Sequence, residues 1–198
     1  MNQPPEYCPY CGSTVSVVED PGHGVSTLET VGTASVYWCE SCEDCVFYNA
    51  VPGGSAVVVD GDSLLLVEDF RSPGEWKLPS GRVELGERPS EGVARELEEE
   101  TGLAVDPEDL TYWTDDAVEL AEDQYMSNVD YAVPRSKTAG TVEAGSDATD
   151  ARFFTPAEFA ASGYTIKHTH VARFGDDDLA WVHEGARAAL QAVDEPLS

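Results

Sequence analysis

Between Gly81 and Leu103 the chain reads GRVELGERPSEGVARELEEETGL, which sets Glu87, Arg95, Glu96, Glu99 and Glu100 at fixed spacings in one short stretch. Carboxylate oxygens are the preferred ligands of a hard cation such as Mg²⁺ or Mn²⁺. Ser90 to Thr101 reads as a helix closed by Gly102. On that helix Glu96 lies three residues before Glu99 and four before Glu100, so these side chains project from one face. Like charges that close would weaken an isolated helix, and a bound cation removes the penalty. Arg95 is placed to hold a carboxylate by a charge-assisted pair, while Val93 and Leu97 offer a face to bury against a sheet. A solvated acidic helix would account for Glu98-Glu99-Glu100. It would not account for the glycine, Glu87, Arg95-Glu96-Leu97 and Gly102-Leu103 falling in register as well.

A second constellation precedes it. Cys8-Pro9-Tyr10-Cys11 and Cys39-Glu40-Ser41-Cys42 are paired CxxC knuckles, the pattern of a four-thiolate structural Zn²⁺ site. Cys45 follows Cys42 by the same spacing, so Cys42 and Cys45 could replace Cys39 and Cys42. Cys39 and Cys42 are preferred because they follow the strand-like Val36-Tyr37-Trp38, as Cys8 follows Tyr7. No export signal or long apolar run is present, so the expectation is a cytoplasmic protein with reduced thiols rather than disulfides.

The elements that must position these groups follow from pattern. Thr14 to Glu19 and Ser35 to Trp38 read as short strands around a turn at Pro21-Gly22-His23-Gly24, and Pro52-Gly53-Gly54 marks the exit from this small metal-held ribbon. Ser55–Val59 and Leu64–Glu68 are strands joined at Asp60-Gly61-Asp62, and Glu75–Leu78 leads into the acidic segment. Thr111–Leu120 and Tyr125–Val133 are further strands, Pro134–Ser146 a polar loop, and Arg152–Phe154 a short strand. Thr155-Pro156-Ala157-Glu158 is a capping box with proline at the first helical position. Leu179, Val182, Ala186, Ala189, Leu190 and Val193 form the stripe of a last helix, whose positive end suits Asp176 to Asp178. These elements make an α/β fold with a mixed sheet between helices. The domain reading is residues 1–50 for the ribbon and 51–198 for the main domain.

The chain carries 38 acids against 11 bases, a formal net charge of −27, and its lysines are Lys77, Lys137 and Lys167. Such a charge argues against nucleic-acid or anionic membrane partners and opposes compaction unless salt screens it. The composition resembles that of cytosolic proteins from salt-loving archaea. Arg71, Lys77, Arg82, Arg88 and Arg95 cluster around the acidic segment, where an anionic small-molecule substrate would need them. Arg71, Lys77 and Arg82 are therefore the substrate-binding candidates. Trp76, Tyr112, Trp113 and Tyr125 are ordinary core or sheet residues that could also stack on a base. His168 and His170 flank Thr169 with alternating exposure, His183 sits on the last helix, and all three read as surface or packing histidines rather than ligands.

The acidic segment matches every specified position of Gx5Ex7REUxEExGU, with U aliphatic, and so resembles the Nudix box; Trp76 to Gly81 and Gly145 to Phe154 resemble the approach and late acidic loop of that family. The resemblance spans roughly Pro52 to Val193 and implies a Nudix α/β/α sandwich preceded by a zinc ribbon. It implies metal-dependent hydrolysis of the pyrophosphate bond in a nucleoside diphosphate linked to another moiety, such as NADH, ADP-ribose or a nucleoside triphosphate. Glu96, Glu99 and Glu100 would ligate Mg²⁺ or Mn²⁺, with Glu87 supporting and Asp147 contributing from outside the box. Glu99, Glu96 and Arg95 would be the catalytic set, one carboxylate orienting or deprotonating the attacking water and Arg95 orienting the carboxylates. A ribbon before such a domain resembles the organisation of NADH pyrophosphatases, although no SQPWPFP-like segment follows the box. The ribbon is expected to brace the fold or a homodimer. The competing expectation is a non-catalytic nucleotide-sensing module, with the ribbon as its interaction site.

Overall fold

The structure, a computed structural model, describes residues 3–18, 36–174 and 179–194. The turn expected at Pro21 to Gly24 and the acidic run Asp176 to Asp178 lie outside the described residues. The chain divides into two compact units, Met1–Val51 with Glu119–Met126, and Pro52–Val118 with Ser127–Ser198.

In the first unit β1 (Ser16–Val17), β2 (Val36–Cys39) and β3 (Asp44–Phe47) form an antiparallel three-stranded sheet in that order. Cys8, Tyr37, Cys39, Val46 and Tyr48 make its small buried cluster. The hydroxyl of Tyr48 donates to the carbonyl of Asp123 within the same unit.

The remaining strands are β4 (Val51–Asp60), β5 (Ser63–Asp69), β6 (Glu75–Lys77), β7 (Ser80–Arg82), β8 (Thr111–Ala121), β9 (Gln124–Pro134), β10 (Ala148–Phe154) and β11 (Thr165–Ile166). The helices are α1 (Pro89–Thr101), α2 (Pro156–Ser162), α3 (His168–Phe174) and α4 (Leu179–Asp194). The sheet runs β11-β6-β5-β4-β9-β8, with β10 on the other edge of β5 and β7 on β4. It is mixed, because β11 joins β6 in parallel while β5 meets β4, β6 and β10 antiparallel. One edge of β5 is shared. Leu64 pairs with Val59 of β4, whereas Val67 pairs with Lys77 of β6, so the sheet forks between them. The segment leaving β6 crosses this fork as β7, pairs Gly54 with Gly81, and delivers the chain to α1.

Along β4 the buried residues alternate between faces. Val57 and Val59 pack with Leu64, Trp76, Phe159, Leu179 and Val182, while Ala56 and Val58 pack with Val93, Leu97, Leu103 and Val133. A strand covered on both sides reads as a continuous apolar run, and this one does. Val93 and Leu97 face the sheet as expected.

Three expectations change. Pro52-Gly53-Gly54, read as the exit from the ribbon, follows the division between the units but is itself strand, part of β4, and Gly54 lies so close to β9 that a Cβ would stand 2.1 Å from the Val129 carbonyl oxygen. The late strand extends back to Ala148, pairing along β5 as far as Asp69. The alternation around His168 and His170 belongs to helix α3, opened by bonds from the amides of His170 and Val171 to the Lys167 carbonyl. Three residues of alternation are too few to separate a period of 2 from one of 3.6.

Candidate active site

Helix α1 starts at Pro89 and ends at Gly102, whose φ of 70° is the left-handed conformation that glycine adopts without penalty. The Arg88 amide donates to the Glu91 carboxylate at 2.7 Å, satisfying a donor at the helix start. The helix lays its acids beside β7. Gly81 leaves room there for the Glu96 carboxylate, since a Cβ on it would stand 1.9 Å from the carboxyl carbon and displace that side chain.

Arg95 organises the exposed side of the site. Its Nε and Nη2 donate to the two oxygens of Glu87 at 2.8 and 3.1 Å, and its Nη1 donates to Glu96 Oε1 at 2.9 Å and Glu99 Oε2 at 3.2 Å. Nη2 also reaches the Arg82 carbonyl at 2.9 Å, which ties the helix to β7. One guanidinium therefore gathers Glu87, Glu96 and Glu99 on one face. These ion pairs, that to Glu87 foremost, raise the pKa of Arg95, and the same contact holds the Glu87 carboxyl below its usual range.

Glu100 is held differently. It is 1 % exposed, with Oε1 paired to Lys77 Nζ and Oε2 accepting the Ser80 amide at 2.9 Å. Burial pushes its carboxyl up to about 7; Lys77 and the Ser80 amide oppose the shift, and a bond to the Asp147 side chain adds to it. Asp147 arrives because the preceding loop docks on the end of α1: the Glu143 amide bonds the Thr101 carbonyl at 2.9 Å and the Gly145 amide bonds the Glu100 carbonyl at 3.1 Å. A Cβ at Gly145 would lie 2.6 Å from the Glu99 carbonyl oxygen, so the approach needs glycine.

The expected residues thus form two neighbouring groups, Glu87-Arg95-Glu96-Glu99 and Lys77-Glu100-Asp147. Lys77, expected among the substrate-binding bases, is buried, and its ammonium meets three acceptors: Glu100 Oε1, Ser80 O and Ser80 Oγ. Glu100, expected as a metal ligand, has both oxygens taken by donors. Arg71 lies over the ring of the exposed Phe70 at 4.6 Å, next to the acidic loop, since the Phe70 amide bonds the Asp147 carbonyl at 3.1 Å. The Arg82 side chain is exposed. Trp76 is no stacking platform, being fully buried against Phe154 and Tyr164, and Trp113 packs on Phe174 and Trp181. The carboxylates of Glu96 and Glu99, gathered by a single arginine, are oxygen donors of the kind a hard divalent cation takes.

One polar group was not apparent from the sequence. Arg173 of α3 donates to both oxygens of Asp130 at 2.6 and 2.7 Å, to Asp116 at 3.0 Å and to Ser55 Oγ at 2.8 Å, and Asn128 donates to Asp116 at 2.7 Å. Ser55, Asn128 and Asp130 are buried. The available signal was acid and amide at alternate positions, Asn128 and Asp130, in a strand with apolar neighbours.

In the ribbon the sulfurs of Cys8, Cys11, Cys39 and Cys42 lie within 4.8 Å of one another, with Cys8 to Cys42 at 3.8 Å and Cys11 to Cys39 at 3.5 Å. Tetrahedral Zn²⁺ with bonds of about 2.3 Å needs sulfurs about 3.8 Å apart, so this set is compatible with a zinc ribbon. Cys39 belongs to the group and Cys45 does not.

Residues 51–174 match the model of the NUDIX domain. A MutT-like protein of Streptomyces ambofaciens is 47% identical over 57 residues, 29% of this chain and 37% of the relative. An ADP-ribose pyrophosphatase of Bacillus subtilis (strain 168) is 45% identical over 56 residues, 26% of this chain and 30% of the relative. The chain thus matches about a third of the length of these curated relatives. Among solved structures, a MutT NUDIX hydrolase from Burkholderia pseudomallei covers 63% of this chain and 95% of its own at a TM-score of 0.53 and 23% identity. A NUDIX hydrolase from Nitrosomonas europaea covers 77% and 79% at a TM-score of 0.53 and 20% identity. These two share the fold.

Proposed function

Because this chain belongs to the NUDIX domain family, we propose that it hydrolyses the pyrophosphate bond of a nucleoside diphosphate linked to another moiety, with NADH, ADP-ribose or a nucleoside triphosphate as candidate substrates. The observation that carries this reading is the Arg95 hub, which gathers Glu96 and Glu99 on one face of α1 with Glu87 from the segment just before the helix. The similarity to the Bacillus ADP-ribose pyrophosphatase supports a nucleotide-derived diphosphate.

Glu96 and Glu99 would hold Mg²⁺ or Mn²⁺, with Glu87, Glu100 and Asp147 around them. When bound, such an ion neutralises phosphate oxygens and lowers the pKa of a coordinated water. The protein's own groups supply the rest. Arg95 restrains the rotamers of Glu96 and Glu99, so little reorganisation remains at the moment of reaction. Glu99, 48 % exposed, has Oε2 on Arg95 and accepts the proton of the attacking water at Oε1. The water oxygen forms the new bond to phosphorus, and the bridging P–O bond breaks towards the leaving phosphate. Arg71 and Arg82, exposed or beside the acidic loop, meet the substrate's anionic oxygens.

We read residues 1–50 as a ribbon holding one structural Zn²⁺ through Cys8, Cys11, Cys39 and Cys42, and 51–198 as the hydrolase domain. The acidic composition supports residence in a salt-rich cytosol. Turnover of NADH, ADP-ribose and nucleoside triphosphates with Mg²⁺ or Mn²⁺ in concentrated KCl tests the reading. Release of a nucleoside monophosphate is expected, falling about 10²–10⁴-fold in Glu99→Gln. A folded protein that binds nucleotide without turnover would instead be a sensing module.

A further inference from the structure

Glu100 shares α1 with Glu96 and Glu99 but not their surroundings. Its side chain is 1 % exposed, against 18 % for Glu96 and 48 % for Glu99. Both of its oxygens are engaged by groups that the sheet fixes. Oε1 pairs with the Lys77 ammonium, and Oε2 accepts the Ser80 amide at 2.9 Å. Lys77 stands opposite Val67 in the pairing of β5 with β6, and Ser80 opposite Ser55 in that of β4 with β7. The ammonium is itself buried, and its other acceptors are Ser80 O at 3.2 Å and Ser80 Oγ at 3.4 Å.

The other box acids are held more loosely. Arg95 takes Glu96 Oε1 and Glu99 Oε2, which leaves Glu96 Oε2 and Glu99 Oε1 open to a cation. A hard divalent ion draws its affinity from carboxylate charge, and Mg²⁺ keeps several of its waters when bound. An ion on Glu100 would have to enter a position closed to solvent and stand beside an ammonium on the same carboxylate. Displacing that ammonium would leave it on the two uncharged oxygens of Ser80, and a buried charge without an opposite partner is costly.

We infer that Glu100 ligates no divalent cation in this protein and is a positioning residue, with Lys77 supplying the positive charge its carboxylate needs. The pair clamps the end of α1 to β6 and β7, one turn after Glu96, and so seats the Glu96 carboxylate against Gly81. The ion is held by Glu96 and Glu99. Lys77, a base beside the site, is thereby committed to the helix and not to the substrate. The inference rests on the proposed cation site at Glu96 and Glu99, and goes further in taking the third box carboxylate out of it.

The test is titration of the folded protein with Mn²⁺, read from the paramagnetic resonance signal of the free ion, so that affinity is measured apart from turnover. Concentrated KCl screens weak binding to the many surface acids. Glu96→Gln and Glu99→Gln should each weaken the tightest Mn²⁺ site at least about tenfold, whereas Glu100→Gln should stay within about threefold of wild type. Because Glu100→Gln leaves a buried ammonium unpaired, the double variant Lys77→Met, Glu100→Gln is titrated beside it and should bind equally well. Its glutamine keeps an acceptor for the Ser80 amide. Thermal unfolding reads the clamp itself: Lys77→Met alone should lower the midpoint, and adding Glu100→Gln should recover part of the loss. A greater loss of Mn²⁺ affinity in the double variant overturns the inference, and so does an unchanged midpoint in Lys77→Met. Either result leaves the cation site at Glu96 and Glu99 standing. Mn²⁺ binding indifferent to Glu96→Gln and Glu99→Gln overturns the inference together with that site.

Discussion

Among the individual residues, the acids divide by their partners. Glu87, Glu96 and Glu99 share Arg95 in a partly solvated setting, whereas Glu100 and Asp69 are buried against Lys77 and Lys167. For Asp69, burial raises the carboxyl pKa, but the Lys167 pair and the Arg71 amide outweigh it and the net shift is downward. A carboxyl with a depressed folded pKa contributes stability that is complete above its unfolded value of about 3.9 and is lost as pH falls through the folded value. Denaturant midpoints between about pH 5 and pH 2 should therefore fall more steeply for wild type than for Asp69→Asn, which is already destabilised at neutral pH. Parallel curves would show that the pair does not couple to folding. The acids of the box were legible because their spacing is that of a helix face. The partners of Glu100 were not, because Lys77 and Ser80 reach it across 23 and 20 residues of chain.

The elements that position the site are glycine-dependent at their crossings. Gly54 lets β4 run against β9, Gly81 admits the Glu96 carboxylate, and Gly145 seats the acidic loop on α1. The cap of α2 was legible, with the Glu158 amide on Thr155 Oγ1 at 3.1 Å and the Thr155 amide on Glu158 Oε2 at 2.9 Å. Helix α3 was not, since it is short and its register depends on Arg173 finding Asp130 on a strand 43 residues earlier. The ribbon belongs to the same scale. Among the described residues its core is the small cluster of Cys8, Tyr37, Cys39, Val46 and Tyr48, and thiolate–zinc bonds would add folding free energy, about 10–16 kcal/mol in comparable small sites. Purified protein should contain about one zinc per chain, and Cys8→Ser should lose it and open residues 1–50 to limited proteolysis. A metal-free protein with an unchanged cleavage pattern would refute the zinc assignment.

For the molecule as a whole, charge dominates. A net −27 with few lysines means self-repulsion at low ionic strength, and screening shortens from about 10 Å at 0.1 M salt to about 3 Å at 1 M. The thermal midpoint should rise by about 5 °C or more between these concentrations of KCl, equivalent to roughly 2 kcal/mol, and a flat response would exclude salt adaptation. No helix among the described residues is long and apolar enough to cross a membrane. Spacing along the chain alone determined the family, the helix that bears the box acids and the cysteine knuckles, because each depends on residues close in sequence with a fixed period. Only the tertiary structure decided which carboxylates stay on the open face of α1 and which is buried on a lysine, and that Cys39 rather than Cys45 joins the thiol cluster. Those outcomes depend on desolvation and on pairings between distant strands and helices, which a local pattern does not encode.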